Sequence, residues 1–273
     1  MHNIVVASFY KKNNVHLNNR AAICSDTAAY WDNYVIDYLT KNEKSKGQID
    51  QYIHLFYKRL VSLALGRLVL AQKLRILKVD LWNEGVEISR DILNNFEGIE
   101  TYGFDLSKNI CNLAKARLDK TGVVQATCQN IPYISGNFDL VLDLSTIDHI
   151  PFHKTSQVFE EYYRVLKPKG LLAIAFWQSN LATKYLLEVN PEQLYFDSKK
   201  VADSLEDIGF KIVGSYNVGA LLTMLECNFW VGKFLYWRLK AAFERRLFEY
   251  STKLEPCLYN LLGGLRVYYA IHP

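Results

Sequence analysis

Three carboxylates end short apolar runs of this chain. Asp80, Asp105 and Asp143 each close a segment rich in aliphatic and β-branched residues. A carboxylate in such a position can accept hydrogen bonds from both hydroxyls of a bound ribose, or it can hold an ammonium group. We therefore predict that these acids contribute to a binding site for a small polar molecule.

The loop after Asp143 contains groups that can move protons. His149 is a candidate general base for a substrate hydroxyl or amine, with Asp148 or Asp143 orienting its ring. The alternative is that Asp148 and His149 only cap the helix that begins near Lys154. His149 and His153 lack an evident third ligand, so the sequence predicts no metal site.

The segments that must position these residues alternate between strand and helix patterns. Strands are predicted at 76–80, 101–105, 123–127, 138–143, 171–176, 210–215 and 265–271, and intervening helices at 84–95, 107–118, 154–166 and 198–208. This alternation predicts an α/β fold with a doubly wound, mostly parallel sheet of seven strands. The loops after Asp80, Asp105, Thr127 and Asp143 should then converge on one crevice, where the strand order reverses.

The same pattern divides the chain into four parts. Residues 1–74 are predicted to be an N-terminal helical extension, 75–216 the doubly wound core, 217–264 a helical insertion and 265–273 the last strand of the sheet. The insertion is longer than an ordinary connection between strands. We predict that it contributes to the substrate site or to a membrane-surface contact.

Composition limits the class of protein. Half of the residues are hydrophobic and 22% are charged, which excludes a disordered or fibrous chain. No stretch of eighteen residues is both uncharged and apolar, which argues against a membrane-spanning helix. The five cysteines are scattered, as expected for reduced thiols rather than for a disulfide framework or a zinc knuckle. We expect a cytoplasmic protein.

The end of the chain is unusually basic and aromatic. Residues 228–273 hold seven lysines and arginines against three glutamates. Within 228–262, helical spacing places Trp230, Phe234 and Trp237 on one face. Such a helix could make a peripheral contact with the inner surface of a membrane and admit a lipid-like substrate. The alternative is a core helix with a solvated basic edge. Nucleic-acid binding is not favoured, because no RNA-binding module is recognisable.

Four sequence elements, in order, resemble the class I S-adenosylmethionine-dependent methyltransferases of the small-molecule and lipid type. Residues 163–170 are similar to the family's Arg-Val-Leu-Lys-Pro-Gly-Gly turn, with Lys169 in place of the first glycine. Residues 138–141 resemble the start of the family's fourth strand, 131–133 its Leu-Pro-Phe element and 102–107 the end of its second strand. The resemblance covers roughly residues 70–216.

This resemblance implies S-adenosylmethionine as the cofactor and methyl transfer to a small-molecule or lipid-like substrate. It implies that Asp105 holds the ribose and that Asp80 or Glu84 holds the methionine ammonium. The full set of implied cofactor contacts is Asp80, Trp82, Glu84, Gly85, Asp105, Leu106, Cys128, Gln129, Asn130, Ile131 and Asp143.

Two departures from the family pattern leave a second function open. Where the family has Gly-x-Gly-x-Gly after the first strand, only Gly85 remains, so Trp82 and Asn83 either shape a different pocket or fill the cofactor's place. After the third strand, residues 127–130 lack the family's acid. The alternative is a non-catalytic binding or regulatory protein on the same fold. A nicotinamide-dependent oxidoreductase is disfavoured, because no Gly-x-Gly-x-x-Gly follows a strand.

Overall fold

The structure is a computed structural model, which describes residues 28–40, 47–68, 73–87, 91–96, 98–180, 194–218 and 264–273. The predicted amphipathic segment 228–262 lies outside these residues. Nearly all of the predicted insertion 217–264 does so too, and the four-part division of the chain remains a prediction.

The described elements alternate between strand and helix through the core. The helices are α1 Ala28–Thr40, α2 Gly47–Leu65, α3 Trp82–Gly85, α4 Lys108–Lys115, α5 Phe152–Val165 and α6 Ser198–Ile208. The strands are β1 Arg75–Val79, β2 Glu100–Asp105, β3 Gly122–Gln125, β4 Phe138–Leu144, β5 Leu166–Trp177, β6 Lys211–Val218 and β7 Leu265–Ile271. Two short 3-10 turns occupy Leu93–Asn95 and Ile147–His149.

The seven strands form one sheet in the order β3-β2-β1-β4-β5-β7-β6. Strands β1 to β5 pair in parallel, whereas β7 runs antiparallel to both β5 and β6. The predicted doubly wound, mostly parallel seven-stranded sheet is therefore confirmed. The order reverses between β1 and β4, which are neighbours although two strands separate them in the chain.

Helices cover the sheet on both faces. Successive residues of a strand point to opposite faces, so each central strand contributes to two buried clusters. On one face, Leu77 and Val79 of β1 belong to a buried cluster that includes Phe159 and Tyr162 of α5. On the other face, Ile76 packs in a cluster with residues of α2 such as Leu60. The central strands are thus buried on both sides, as their nearly continuous apolar sequence predicts.

A third buried cluster fixes α1 above the carboxyl end of the sheet. It joins Val35 of α1 with Leu81 after β1 and with Ile110 and Cys111 of α4. Asp32 adds polar anchors, because its Oδ1 accepts from Ser107 Oγ at 2.5 Å and from the Asn109 backbone N–H at 3.0 Å. The N-terminal extension is therefore bonded to the element that follows β2.

The region after β1 differs from the prediction. A helix was expected at 84–95, but α3 ends at Gly85 and a separate 3-10 turn occupies Leu93–Asn95. A Cβ at Gly85 would lie 3.0 Å from the Ile110 carbonyl oxygen, so this glycine permits close contact with α4. Asp91 accepts from the Asn94 backbone N–H at 3.3 Å, which favours a turn over a continuing helix.

The helix that precedes β1 is also shorter than predicted. The N-terminal extension was predicted to be helical up to residue 74, but α2 ends at Leu65 and is followed by a turn in which the Gly66 N–H donates to the Ser62 carbonyl. Within the part of the chain that the structure describes, no helix is both long and apolar enough to span a bilayer.

Candidate active site

A cavity of about 520 Å³ lies at the carboxyl ends of the central strands. Its lining comes from the loops after β1, β2, β3 and β4, and from α1 and α2. This is the position where the strand order reverses, the usual ligand site of a doubly wound sheet. The predicted convergence of the four loops on one crevice is what the structure shows.

Asp105 lies in the wall of this cavity at the end of β2. Its Oδ2 accepts from the Leu81 backbone N–H at 2.9 Å and its Oδ1 from the Ser107 N–H at 2.8 Å. These bonds fix the orientation of the carboxyl group and occupy one lone pair of each oxygen. A further acceptor position remains on each oxygen, which suits two neighbouring hydroxyls.

The environment of Asp105 disfavours its charge. Burial, together with the nearby Asp80 carboxylate, raises the pKa of Asp105 to about 7, although the two backbone donors oppose the shift. Hydrogen bonds donated by a ligand would stabilise the ionised form. Binding of a hydroxyl-bearing ligand at Asp105 is therefore coupled to loss of a proton near neutral pH.

Asp80 is the first residue after β1 and lines the cavity. Its backbone has a positive φ of 66°, a conformation that aspartate tolerates better than most residues. Its Oδ1 accepts from the Trp82 N–H at 2.6 Å, and its carbonyl oxygen accepts from Lys78 Nζ at 2.5 Å. Hydrogen bonds from Trp82 and Lys78 therefore stabilise this turn, at the place where the similar family has its glycine-rich loop.

Lys78 and Glu84 form a buried ion pair behind this loop. Lys78 Nζ lies 2.9 Å from Glu84 Oε2, and both side chains are almost wholly inaccessible to solvent. Burial by itself lowers the pKa of Lys78, but the carboxylates of Glu84 and Asp80 raise it above its ordinary value. Glu84 therefore faces the lysine and the Ile92 N–H rather than the cavity.

Arg117 of the segment after α4 supports the same loop from the other side. Its guanidinium donates to the carbonyl oxygens of Glu84 and Gly85. Gly85 packs against α4 and does not line the cavity. Glu84 and Gly85, which were expected to contact the cofactor, therefore support the loop from behind and do not line the cavity.

The loop after β3 forms another part of the wall. Thr127, Cys128 and Gln129 line the cavity, whereas Asn130 and Ile131 do not. Ile131 is buried and its N–H donates to Glu161 Oε2 at 2.7 Å. Burial raises the pKa of the Cys128 thiol well above its usual range, so this cysteine is poorly suited to act as a nucleophile.

Arg164 joins two of the segments that resemble the family, 163–170 and 131–133. Its guanidinium donates to the carbonyl oxygens of Ile131 and Tyr133 at 2.9 and 2.7 Å, and it pairs with Glu161 at 2.7 Å. The arginine of the 163–170 string therefore fixes the 131–133 element, and with it the end of the loop that reaches the cavity.

The two other predicted acids turn away from the cavity. Asp143 is fully buried and accepts from the Thr146 N–H at 2.8 Å and from the Tyr162 hydroxyl at 2.9 Å. Asp148 is equally buried, and its Oδ1 accepts from the Trp177 N–H at 2.8 Å, which joins the Ile147–His149 turn to β5. Neither lines the cavity, whereas His149 does.

The aromatic part of the lining was not predicted. Trp31, Tyr34 and Tyr38 of α1 face the cavity, together with Tyr57 of α2. Their spacing at i, i+3 and i+7 places the three α1 residues on one helix face, a signal that is present in the sequence. What the sequence lacked was any sign that α1 lies over this cavity. Leu106 and Trp82 line the cavity as expected.

Buried carboxyl groups make the folded chain sensitive to pH. Burial raises the pKa of Asp105 to about 7, that of Asp143 to about 6, and that of Asp148 well above its ordinary value. The folded state therefore keeps protons that the unfolded state releases, and stability falls as pH rises through these values.

We expect the free energy of unfolding of the ligand-free protein to decrease by about 1 kcal/mol or more between pH 5.5 and pH 8. Urea titrations across that range measure it. Asp105→Asn removes one of the titrating groups, so its stability should vary less steeply between pH 6 and 8. A wild-type stability that rises with pH would contradict the buried, proton-retaining acids.

Comparison with known proteins identifies the scaffold. A family model described as a methyltransferase domain matches residues 84–174. That match includes β2 with Asp105, the cavity loops after β2, β3 and β4, and the 163–170 string. Over this stretch, about a third of its length, the chain is similar to a methyltransferase domain. The match begins at Glu84, after β1 and Asp80.

Curated relatives of the methyltransferase domain match over short stretches. An uncharacterized protein of Haemophilus influenzae is 31% identical over 81 residues, which are 28% of this chain and 32% of that protein. Phosphoethanolamine N-methyltransferase of Plasmodium falciparum is 29% identical over 85 residues, 30% of this chain and 32% of that protein. The matched region thus spans about a third of each relative.

The fold of the methyltransferase domain extends to solved structures. A phosphoethanolamine N-methyltransferase 2 of Haemonchus contortus, in complex with S-adenosyl-L-methionine, superposes with a TM-score of 0.54 at 18% identity. The superposition covers 87% of this chain and 59% of that one. At this identity the likeness concerns the fold.

Proposed function

We propose that the protein is an S-adenosylmethionine-dependent methyltransferase that acts on a small or lipid-like acceptor. The observation that carries the proposal is Asp105, a carboxyl group with free acceptor positions in the wall of a cavity at the reversal point of a methyltransferase-domain sheet. The Plasmodium and Haemonchus relatives, which are named for methyl transfer to phosphoethanolamine, support a small acceptor.

The cavity fits this cofactor in volume and in chemistry. Its volume of about 520 Å³ lies within the usual range for small-molecule sites. Asp105 would accept from the ribose hydroxyls, and Asp80 would accept from the methionine ammonium. The polar atoms of Thr127 and Gln129 border the end of the cavity nearest β3, where they would meet the adenine ring.

When bound, S-adenosylmethionine supplies an electrophilic methyl group on a sulfonium: an acceptor lone pair forms the new bond, and the C–S electron pair returns to sulfur. The chain's contribution is positioning. Asp105 and Asp80 fix the two ends of the cofactor, while α1 and α2 cover the cavity with aromatic rings. His149 remains the candidate base for acceptors that must lose a proton. Asp148, which also accepts from the Trp177 amide, would orient the ring of His149.

Calorimetric titration with S-adenosylmethionine and with its demethylated product, S-adenosylhomocysteine, tests the proposal. We expect heat with near-unit stoichiometry for both ligands. Adenosine 5′-triphosphate serves as a control, because its phosphate chain would meet Asp80. If neither S-adenosylmethionine nor S-adenosylhomocysteine gives heat at millimolar concentration, the result favours the non-catalytic alternative, a binding or regulatory protein on the same fold.

We also propose, from composition, a cytoplasmic protein whose segment 228–262 contacts the inner surface of a membrane. The support is the basic and aromatic content of that segment. It would bring a lipid-like acceptor close to the cavity.

Changing Trp230 and Trp237 together to serine is expected to reduce sedimentation with vesicles that contain phosphatidylglycerol, because two interfacial aromatic anchors are lost. Vesicles of phosphatidylcholine alone provide the control for charge. If the double variant instead unfolds or aggregates while wild-type protein ignores both vesicle types, 228–262 is a core element.

A further inference from the structure

Five rings form a continuous row along one wall of the cavity. Trp31 contacts His149 with ring centroids 5.0 Å apart and Tyr34 at 5.4 Å. Trp82 continues the row, 5.6 Å from Tyr34 and 5.1 Å from Tyr38. All five side chains line the cavity, and we call this row the aromatic wall.

The aromatic wall is held in place from behind. Three of its rings lie on one face of α1, whose Val35 is buried in the cluster around Leu81. Asp32 bonds α1 to Ser107 Oγ and to the Asn109 N–H. The rings are therefore attached to the same segment that carries Asp105, and their spacing is fixed by the fold rather than by a bound ligand.

The charges around the aromatic wall favour a cation. Among the described lining residues, three carry carboxyl groups, Asp80, Glu87 and Asp105, and one is a lysine, Lys154. Lys154 is exposed at the beginning of α5. Glu87 lies at the other end of the row, where its Oε1 accepts from the Tyr38 hydroxyl at 2.9 Å. Aromatic faces and carboxylates together attract organic ammonium groups.

The aromatic wall extends from the groups assigned to adenosine towards β4. Asp105 and Thr127 follow β2 and β3, whereas His149 follows β4, which lies beyond β1 in the sheet. The end of the wall at Trp31 and His149 is the farther one from Asp105 and Thr127 in strand order, and we place the second ligand there.

We propose that the aromatic wall binds the ammonium head of the acceptor, so that the substrate class is a small organic ammonium compound. This inference rests on the proposed function for the statement that a second ligand is an acceptor. The binding chemistry itself rests on the five rings and on the carboxyl groups beside them.

The test compares two probes of equal shape and different charge. Choline and its uncharged carbon isostere, 3,3-dimethyl-1-butanol, are titrated into protein saturated with S-adenosylhomocysteine. We expect choline to bind roughly tenfold more tightly or better, because the cation–π and carboxylate contacts act only on the charged head. Equal affinity for both probes, or no binding of choline, would overturn the proposal.

Variants locate the binding to the aromatic wall. Trp31→Leu and Tyr34→Leu should each weaken choline binding by roughly fivefold or more. Ile36→Ala is the matched control, because Ile36 lies on the same helix but is exposed and does not line the cavity. Choline binding that survives both wall substitutions would overturn the assignment. Circular dichroism confirms that each variant is folded.

A second comparison identifies the source of the ammonium group. Vesicles containing phosphatidylethanolamine, compared with vesicles of phosphatidylglycerol, report on a lipid headgroup, whereas choline reports on a free amine. Choline binding with selective binding of the phosphatidylethanolamine vesicles indicates a lipid headgroup, and choline binding without it indicates a free amine. S-Adenosylhomocysteine binding is measured separately, so its absence counts against the proposed function, and its presence without ammonium binding counts against this inference alone.

Discussion

Asp105→Ala is expected to weaken binding of S-adenosylhomocysteine by a factor of about 10 to 100, because charge-assisted hydrogen bonds to the ribose are worth roughly 1.5–3 kcal/mol. Titration calorimetry at pH 8, where the wild-type carboxyl is largely ionised, measures the loss. Asp203→Asn is the matched control: Asp203 is an exposed acid of α6, paired only loosely with Lys199 at 3.2 Å. Unchanged affinity in Asp105→Ala would mean that the ribose lies elsewhere.

The pH dependence of binding gives a second signature of the same contact. The pKa of Asp105 is about 7 in the ligand-free protein, and donated hydrogen bonds favour its ionised form. Wild-type affinity should therefore increase as the pH rises from 6 to 8, and the Asp105→Ala variant should lose that increase. Parallel pH profiles for the two proteins would assign the proton to another group.

Lys78→Met is expected to destabilise the fold by about 3–5 kcal/mol, since it leaves the buried carboxyl of Glu84 without its partner. Urea unfolding at pH 7.5 measures the change. Burial raises the pKa of Glu84, so the variant should recover part of its stability as the pH is lowered and the carboxyl takes up a proton.

The double variant Lys78→Met/Glu84→Leu tests whether the loop needs the ion pair itself or only the absence of an unpaired buried charge. Replacing both charges with apolar side chains should restore stability to within about 1–2 kcal/mol of wild type. Lys199→Met, which disrupts an exposed pair with Asp203, should change stability by less than about 0.5 kcal/mol. A double variant as unstable as the single one would show that the loop needs Lys78 for more than neutralising Glu84.

The position of Asp105 was predictable because it depends on local pattern. An apolar run that ends in an acid, followed by a serine that caps a helix, fixes both the end of β2 and the start of α4. The parallel sheet then brings this end next to the loop after β1. Fold class followed from the same alternation of strands and helices.

Asp143 shows how one residue of register reverses a prediction. It pairs with Val79 in the sheet, and Val79 pairs with Phe104, so Asp143 stands one residue short of the level of Asp105. Its side chain points toward α5, where it meets Tyr162, and Leu144 takes the place at the cavity. A strand end predicted from sequence is uncertain by more than one residue. Because successive strand residues alternate between faces, a shift of one residue moves a side chain to the other face.

The loop after β1 and the aromatic wall could not be obtained from the sequence for a different reason. Lys78 and Arg117 both support this loop by contacts with Glu84, and the contact from Arg117 comes from a distant part of the chain. Likewise, helical spacing placed Trp31, Tyr34 and Tyr38 on one face of α1, but only the docking of α1 on α4 determines what that face covers. Such arrangements depend on tertiary packing rather than local propensity.

The bonds of Asp32 have a kinetic consequence. Because this carboxylate bonds α1 to the first turn of α4, we expect a ligand beneath the helix to leave faster when these bonds open. On the proposed function, the residence time of the nucleoside product would then depend on two hydrogen bonds outside the cavity. Turnover limited by product departure would follow the opening of α1 rather than the methyl transfer itself.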